Sequence, residues 1–578
     1  MKTDYFMKRL FFLFFFISTI LFSGCSQLAE NTVICVQLDP LQKVFTEELQ
    51  FAETSDPAAV AKGETATFQF VVRSIYPIKE LKVEAGNLTK GGQQIAATEK
   101  AFVGYIRAGS HVEKLSKDVL LPLSDIYPDC LQEVESMDVA SMQNQPVWIG
   151  YEIPRDVADG DYSATLTFTG IVNGKSFKIA KEVNAKVYPV TLPEQTLWVT
   201  NWWTPFAFSK MNGNQPVEPY SDRFWELLTA MAHVMRDHGQ NSYKIGGCHQ
   251  DDFWDSLCNI KRNGTQYSFD FTNFDKMVEL LIREGGLKRI EGGHLCNRMS
   301  IPGLVWGNTI FGVYVPNVGT KPFEDEMAQS YLSQFLPALY NHLESKGWTS
   351  MYVQYVADEP TDQHAPLLDV RVDNPTDRNA SSYIPIAEFV KKLMPGIPIM
   401  EAVMSSKLNN TVDIWVPRLD QLHREYAFFQ ERQAAGDEVW FYTCNKPQGN
   451  YAARFLELPL VQTRFLHWIN YRYGITGYLH WGYNYWNSQT TTDFSTTKLP
   501  AGESWIVYPA EGKVFSSIRL KAMRDGIADY ELLKLLEKKA PEKAKQLSGE
   551  VINGFDSYNS NIRAFRFTRL RLLKLLSE

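Results

Sequence analysis

Two adjacent carboxylates, Asp358 and Glu359, sit where a side chain can do chemistry. They close the run MYVQYVADEPTD (351–362), in which Tyr352, Val353, Tyr355 and Val356 are the β-branched and aromatic types that suit a buried strand. Pro360 forbids simple continuation of a central strand. The pattern predicts a strand over 351–356 that delivers both acids to its C-terminal lip, the place from which side chains of an α/β barrel project into the cleft. Asp-Glu recurs at 325–326 and 437–438, in a charged helix-like segment and at the start of a strand. The apolar strand before and the proline after set 358–359 apart from those solvated copies. The blander alternative is an exposed turn.

The elements that must position this lip begin after TLPEQTLWV (191–199). From there, strand-like runs alternate with amphipathic helical ones. Eight candidate strands are LWVTNWW (197–203), NSYKIG (241–246), KRIEGGH (288–294), MYVQYV (351–356), PIMEAV (398–403), VDIWVP (412–417), EVWFYTC (438–444) and TGYLHW (476–481). Helical segments fall at 223–237, 273–284, 324–346, 386–393, 419–434, 459–473 and 516–539. Strand–helix alternation at this length predicts a (β/α)8 TIM-type barrel over 196–578, with long rim loops at 248–269 and 296–322. Residues 26–195 read differently. Segments 66–75, 81–88, 145–154, 161–172 and 176–190 alternate apolar and polar residues between turn signals such as Asn173-Gly174, which predicts an antiparallel β-sandwich. It carries no acidic or histidine constellation and reads as a structural or docking module.

Residues 1–25 read as a targeting segment: Lys2, Lys8 and Arg9 precede an apolar run over 10–22. The run ends Leu21-Phe22-Ser23-Gly24-Cys25, which resembles a bacterial lipobox and implies cleavage before Cys25 and its acylation. The alternative, a transmembrane anchor, is disfavoured because the run is short of the roughly 20 residues a span needs. A lipid-anchored place in the bacterial cell envelope follows, periplasmic or on the outer-membrane surface. A formal charge of −8 with no basic run excludes nucleic acid as the expected partner. The remaining cysteines (35, 130, 248, 258, 296 and 444) form no C-x-x-C pair, and the ten histidines show no metal-ligand spacing, so no metal is expected. No glycine-rich strand–helix fingerprint calls for a redox cofactor.

The predicted strand ends place Trp202, His294, Asp358, Glu359, Tyr442 and Trp481 on the barrel rim, with GYNYWN (482–487) beyond the eighth strand supplying Tyr483, Asn484, Tyr485 and Trp486. Aromatic faces stack on the C–H side of a pyranose while acids and amides bond its hydroxyls, so the palette suits a sugar. Capping of the barrel core is the structural alternative for any one of these rings. An ordinary retaining glycosidase needs two carboxyls about 5–5.5 Å apart across the anomeric carbon, usually from different strands. Adjacent acids on one lip suit substrate-assisted hydrolysis instead, in which the sugar's 2-acetamido oxygen is the nucleophile. Glu359 is then the general acid/base and Asp358 the acetamide polariser; paired negative charge helps keep the acid protonated. Glu401 on the fifth strand is a reserve candidate, aimed more naturally at the core or a sugar hydroxyl.

ADEP at the fourth strand, VWFYTC, GYLHWGYNYW and SSIRLKAMRDGIADYELL (516–533) together resemble glycoside hydrolase family 123 across essentially the whole mature chain. The resemblance implies a sandwich followed by a barrel. It also implies exo-acting retaining β-N-acetylgalactosaminidase activity on terminal β-linked GalNAc, with the family's Asp-Glu pair at Asp358 and Glu359. It further implies that Tyr442, Trp481 and Tyr483 line the −1 sugar pocket, with His294 and Asn484 as further members. The choice of GalNAc over GlcNAc comes from the resemblance alone. Arg524, Asp525 and Asp529 belong by their amphipathic spacing to a closing helix with internal ion pairs. Two other functions remain: a β-hexosaminidase of GlcNAc or mixed specificity, and a non-catalytic glycan-binding lipoprotein.

Overall fold

The computed structural model describes residues 32–246, 253–300, 309–360, 378–408, 410–487 and 490–578. The segment read as a targeting sequence with Cys25, and also Cys248, lie outside the described residues.

The N-terminal domain is a pair of sheets. Strands Val33–Leu38, Thr65–Ser74, Asn144–Glu152 and Glu99–Ala108 pair antiparallel in that order. The second sheet is built on the long hairpin Gly160–Val172 and Lys175–Thr191. Its turn, Asn173-Gly174, takes positive φ at both residues (50° and 72°), the geometry a tight hairpin requires. Strict alternation of buried and open positions along Gly160–Val172 turns one face to the sandwich core around Phe68, Phe70, Leu166 and Phe168.

All eight predicted barrel strands form, as Trp198–Asn201, Ser242–Ile245, Arg289–Gly292, Tyr352–Gln354, Met400–Val403, Ile414–Pro417, Glu438–Thr443 and Gly477–His480. Most are buried along their whole length, as parallel strands with helices outside must be. Parallel pairing runs from the first strand to the eighth and back through the seventh and sixth to the fifth. The second, third and fourth strands form the remaining arc. Two joints close the ring with little ladder. The fourth and fifth strands share one bridge, Gln354 to Ile399. Between the first and second, the Asn241 side chain accepts from Val199 N at 2.9 Å in place of a backbone partner. Val353, Tyr355, Met400, Ile414, Val416, Trp440 and Leu479 fill the interior.

The helices keep their predicted places with two exceptions: 386–393 extends back to Arg378, and 419–434 is two helices, Leu419–Arg424 and Tyr426–Ala434, broken at Glu425. The helix Ile518–Lys539 has the expected internal ion pairs, at Arg524–Asp525 and Lys534–Glu537, and further pairs reach other elements. Asp529 accepts from Arg464 (2.6 Å) and Arg569 (2.8 Å), and Arg569 also binds Glu64 of the sandwich. Arg519 holds Asp129 at 2.9 Å, and Lys521 and Arg524 share Glu99. Strand Asp493–Phe494, from beyond the eighth barrel strand, pairs parallel to Arg107–Ala108, so the chain of the barrel domain extends a sandwich sheet.

Candidate active site

The fourth strand is shorter than predicted, because after Gln354 the chain is held by side chains rather than by a neighbouring strand. The N–H groups of Val356 and Ala357 both donate to the Glu401 carboxylate (3.1 and 3.2 Å), which also accepts from the Tyr383 hydroxyl (3.0 Å). Val356 O accepts from the N–H of Leu295 and Cys296. One Arg298 nitrogen donates to the carbonyls of both Asp358 (2.9 Å) and Glu359 (2.8 Å). Within this clamp Glu359 adopts φ +49°, a left-handed conformation that costs a non-glycine residue on the order of 1–3 kcal/mol. The clamp holds the turn and aims the Glu359 side chain at the barrel axis.

There it meets Tyr442, whose hydroxyl donates to Glu359 Oε1. Both acids are half-buried. Burial is the largest influence on Glu359 and raises its pKa, and the Asp358 charge adds to it. The Tyr442 hydrogen bond and the charges of Arg298 and Arg418 pull the other way, and the net shift is upward. A carboxyl whose pKa is raised beside a second acid, at the mouth of a barrel, is equipped to donate a proton to a leaving group.

Around the first three strands lies a second cluster. Trp202 Nε1 donates to Glu291 at 3.1 Å, and its ring meets those of His294 and Tyr355 edge-on, each at 5.5 Å. The Lys244 ammonium lies 3.5 Å from the Trp202 ring centroid and 3.2 Å from His294 Nδ1. On the far side, Trp481 is half-buried, donates to Glu503 and tilts against Tyr485 at 4.9 Å.

Three expected pocket residues point elsewhere. Tyr483 is buried in the main core, and its backbone bonds Trp202 O and Ile506 N. Asn484 spends its amide on the backbone of Thr204, accepting from N and donating to O at 2.9 Å each. Trp486 is buried and donates to Val507 O at 2.8 Å. The chain beyond Trp481 folds back over the barrel's flank, and these side chains pin it there. Glu401 likewise faces the fold rather than a cleft.

The sequence matches the glycoside hydrolase 123 catalytic domain over residues 202–536 and the glycoside hydrolase 123 N-terminal domain over residues 42–170. The chain belongs to glycoside hydrolase family 123. Its fold is that of a family 123 glycoside hydrolase from Clostridium perfringens, solved for the details of glycolipid glycan hydrolysis. The two are 16% identical, with a TM-score of 0.68 over 94% of this chain and 97% of that one. An endo-β-1,4-mannanase from Thermotoga petrophila (12% identity, 58% of this chain, 77% of that one, TM-score 0.34) is a far looser match. So is a β-glucuronidase from Parabacteroides merdae (10% identity, 80% and 50%, TM-score 0.30). No curated protein sequence matches the chain.

Several charged residues of this family 123 barrel were not singled out by sequence reasoning. Lys244 and Glu291 had a usable signal: each is a charge at the third position of a short strand whose neighbours on either side are apolar or small residues. Arg418, which holds Asp420 through two bonds (2.6 and 2.9 Å), ends the sixth strand with a charge, a weaker clue. Glu503 and Arg298 lie outside the barrel strands and carried none.

Proposed function

We propose that this family 123 glycoside hydrolase is an exo-acting retaining β-N-acetylgalactosaminidase that removes terminal β-linked GalNAc by substrate-assisted catalysis. The observation that carries the reading is the pairing, on one clamped lip, of Asp358 with a Glu359 whose pKa is raised by burial and by its neighbour. Glu359 protonates the glycosidic oxygen while the substrate's acetamido oxygen attacks the anomeric carbon from the other face. Asp358 accepts the acetamide N–H and stabilises the positive charge of the resulting oxazolinium ion. Water then enters with Glu359, now a carboxylate, as its base, and retention follows from two inversions. Trp481 and the Trp202–His294–Lys244 cluster offer an aromatic face and polar groups to the sugar. The Clostridium enzyme's glycolipid glycans support a glycan substrate. We also read the chain as tethered to the bacterial envelope by acylation of Cys25.

The test compares aryl β-GalNAc and β-GlcNAc glycosides and a natural disaccharide, using wild type and Glu359→Gln. The amide cannot supply the proton, so turnover of the disaccharide should fall on the order of 10²–10⁴-fold, and that of an activated aryl glycoside by less. Preferred turnover of β-GlcNAc would keep the mechanism and make the enzyme a β-hexosaminidase. Binding of glycans without turnover of either sugar would make the barrel a binding module.

A further inference from the structure

We propose that one end of the β-sandwich is an apolar tip that seats in the surface of the membrane to which the chain is tethered. The inference rests on reading Cys25 as the site of acylation.

Exposed apolar side chains are normally scattered singly over a protein surface. Among the described residues eleven large hydrophobic side chains are exposed, and five of them, Ile34, Leu49, Ile75, Tyr76 and Met142, gather at one place. The backbone register shows why. Val33, first residue of the edge strand, lies opposite Ser74, last residue of its neighbour, and Ile34 lies opposite Arg73. Ile75 and Tyr76 follow directly in the turn. Met142 N donates to Ser74 O (2.9 Å) and Ser141 Oγ to Ile75 O (2.6 Å), which sets Met142 beside that turn. Asn144, also opposite Arg73, donates from its side chain to Glu48 O at 2.8 Å and brings in Leu49. Each of the five is between 41 and 72% exposed.

The place where the chain enters the fold identifies the occupant. Val33 stands eight residues after Cys25. At about 3.6 Å per residue fully extended, an acylated Cys25 holds the tip within about 29 Å of the bilayer. The residue types also fit: aliphatic side chains and a methionine for the acyl boundary, and a tyrosine whose amphipathic ring suits the headgroup level. An acylated cysteine holds the chain at the membrane without fixing how the domain is turned, and a second contact of this kind fixes its orientation. Orientation matters because strand Glu99–Ala108 runs antiparallel to Asn144–Glu152, with its Ala108 end toward the tip. The segment beyond it reaches the rim loop after the seventh barrel strand, where Glu113 N and Lys114 N donate to Gln448 at 2.9 and 3.0 Å.

The experiment uses the full-length protein purified from membranes, with its N-terminal peptide first weighed for acylation. It is reconstituted into phosphatidylethanolamine–phosphatidylglycerol vesicles containing a brominated phospholipid. A bimane label at Met142→Cys is compared with one at exposed Phe567→Cys. Phe567 lies on the helix Ile562–Ser577, which docks at the opposite end of the sandwich through Arg569 and Glu64. Quenching at position 142 about twofold or more beyond that at 567, reduced by Ile75→Ser with Tyr76→Ser, is the expected result for a tip at the acyl boundary. An acylated protein whose two labels are quenched equally overturns the tip and leaves the anchor standing. A label at 142 shielded without vesicles, in proportion to protein concentration, assigns the surface to a second copy and overturns the proposal. An unmodified Cys25 removes the anchor and the proposal with it.

Discussion

The Tyr442 hydroxyl donates to Oε1 of Glu359, joining the end of the seventh barrel strand to the lip of the fourth across the mouth. This bond favours the carboxylate form of Glu359 and partly offsets the upward push of burial and of Asp358. Tyr442→Phe removes the offset, so the Glu359 pKa rises further. The basic limb of the kcat/KM–pH profile reports loss of the acid's proton in the free enzyme, and it therefore moves to higher pH in the variant. The rate at neutral pH falls about tenfold, as expected when a hydrogen bond to a charged group is lost. A basic limb that stays put or moves to lower pH in Tyr442→Phe contradicts the role.

Glu401 acts on the same acids through the backbone. Its two oxygens hold the N–H groups of Val356 and Ala357, one residue before Asp358, and Tyr383 completes the set. In Glu401→Gln one oxygen becomes a donor, so at least one buried N–H faces another donor and the lip must shift. A displacement of about 1 Å at a catalytic group costs on the order of 10²-fold. We expect that loss in kcat, larger for a natural disaccharide than for an activated aryl glycoside, because the leaving group's need for Glu359 differs between them. Tyr383→Phe spares both backbone bonds and should lose far less. An equal loss on both substrates would mean that Glu401→Gln merely lowers the folded fraction.

The barrel was legible because each parallel strand, buried on both faces, is a short apolar run between helical periods. The lip was legible from Pro360. The shorter fourth strand was not: Tyr355 and Val356 have strand-forming side chains, but their backbone partners are Glu401, Leu295 and Cys296, distant in sequence. The aromatic segment after Trp481 misled in the other direction. Residue type says that Tyr483, Asn484 and Trp486 could meet a sugar, while the path of the loop, fixed by Thr204 and Val507, buries them. Charges such as Arg298 and Glu503, outside the barrel strands, read singly as solvated, and only the folded path of their loops sets them against the barrel mouth.

Glu503 makes the barrel mouth sensitive to pH between mild acid and about pH 8. It is buried behind Trp481, whose indole N–H it accepts, and burial raises its pKa to about 8 against the opposing influences of that bond, Arg454 and the Asn445 N–H. A carboxyl whose folded-state pKa exceeds its unfolded value stabilises the fold fully below the unfolded value, near 4.5, and that contribution is lost as pH rises through about 8. Wild-type Tm should therefore decline between about pH 5 and 8 more steeply than that of Glu503→Gln, which keeps an acceptor for Trp481 and has no proton to lose. Trp481 fluorescence, isolated as the difference between wild type and Trp481→Phe, should change around pH 8 in the parent, where the folded-state carboxyl itself ionises, and stay level in the glutamine variant. Parallel Tm curves for the two proteins from about pH 5 to 8 would show that the fold does not hold the Glu503 pKa above its unfolded value.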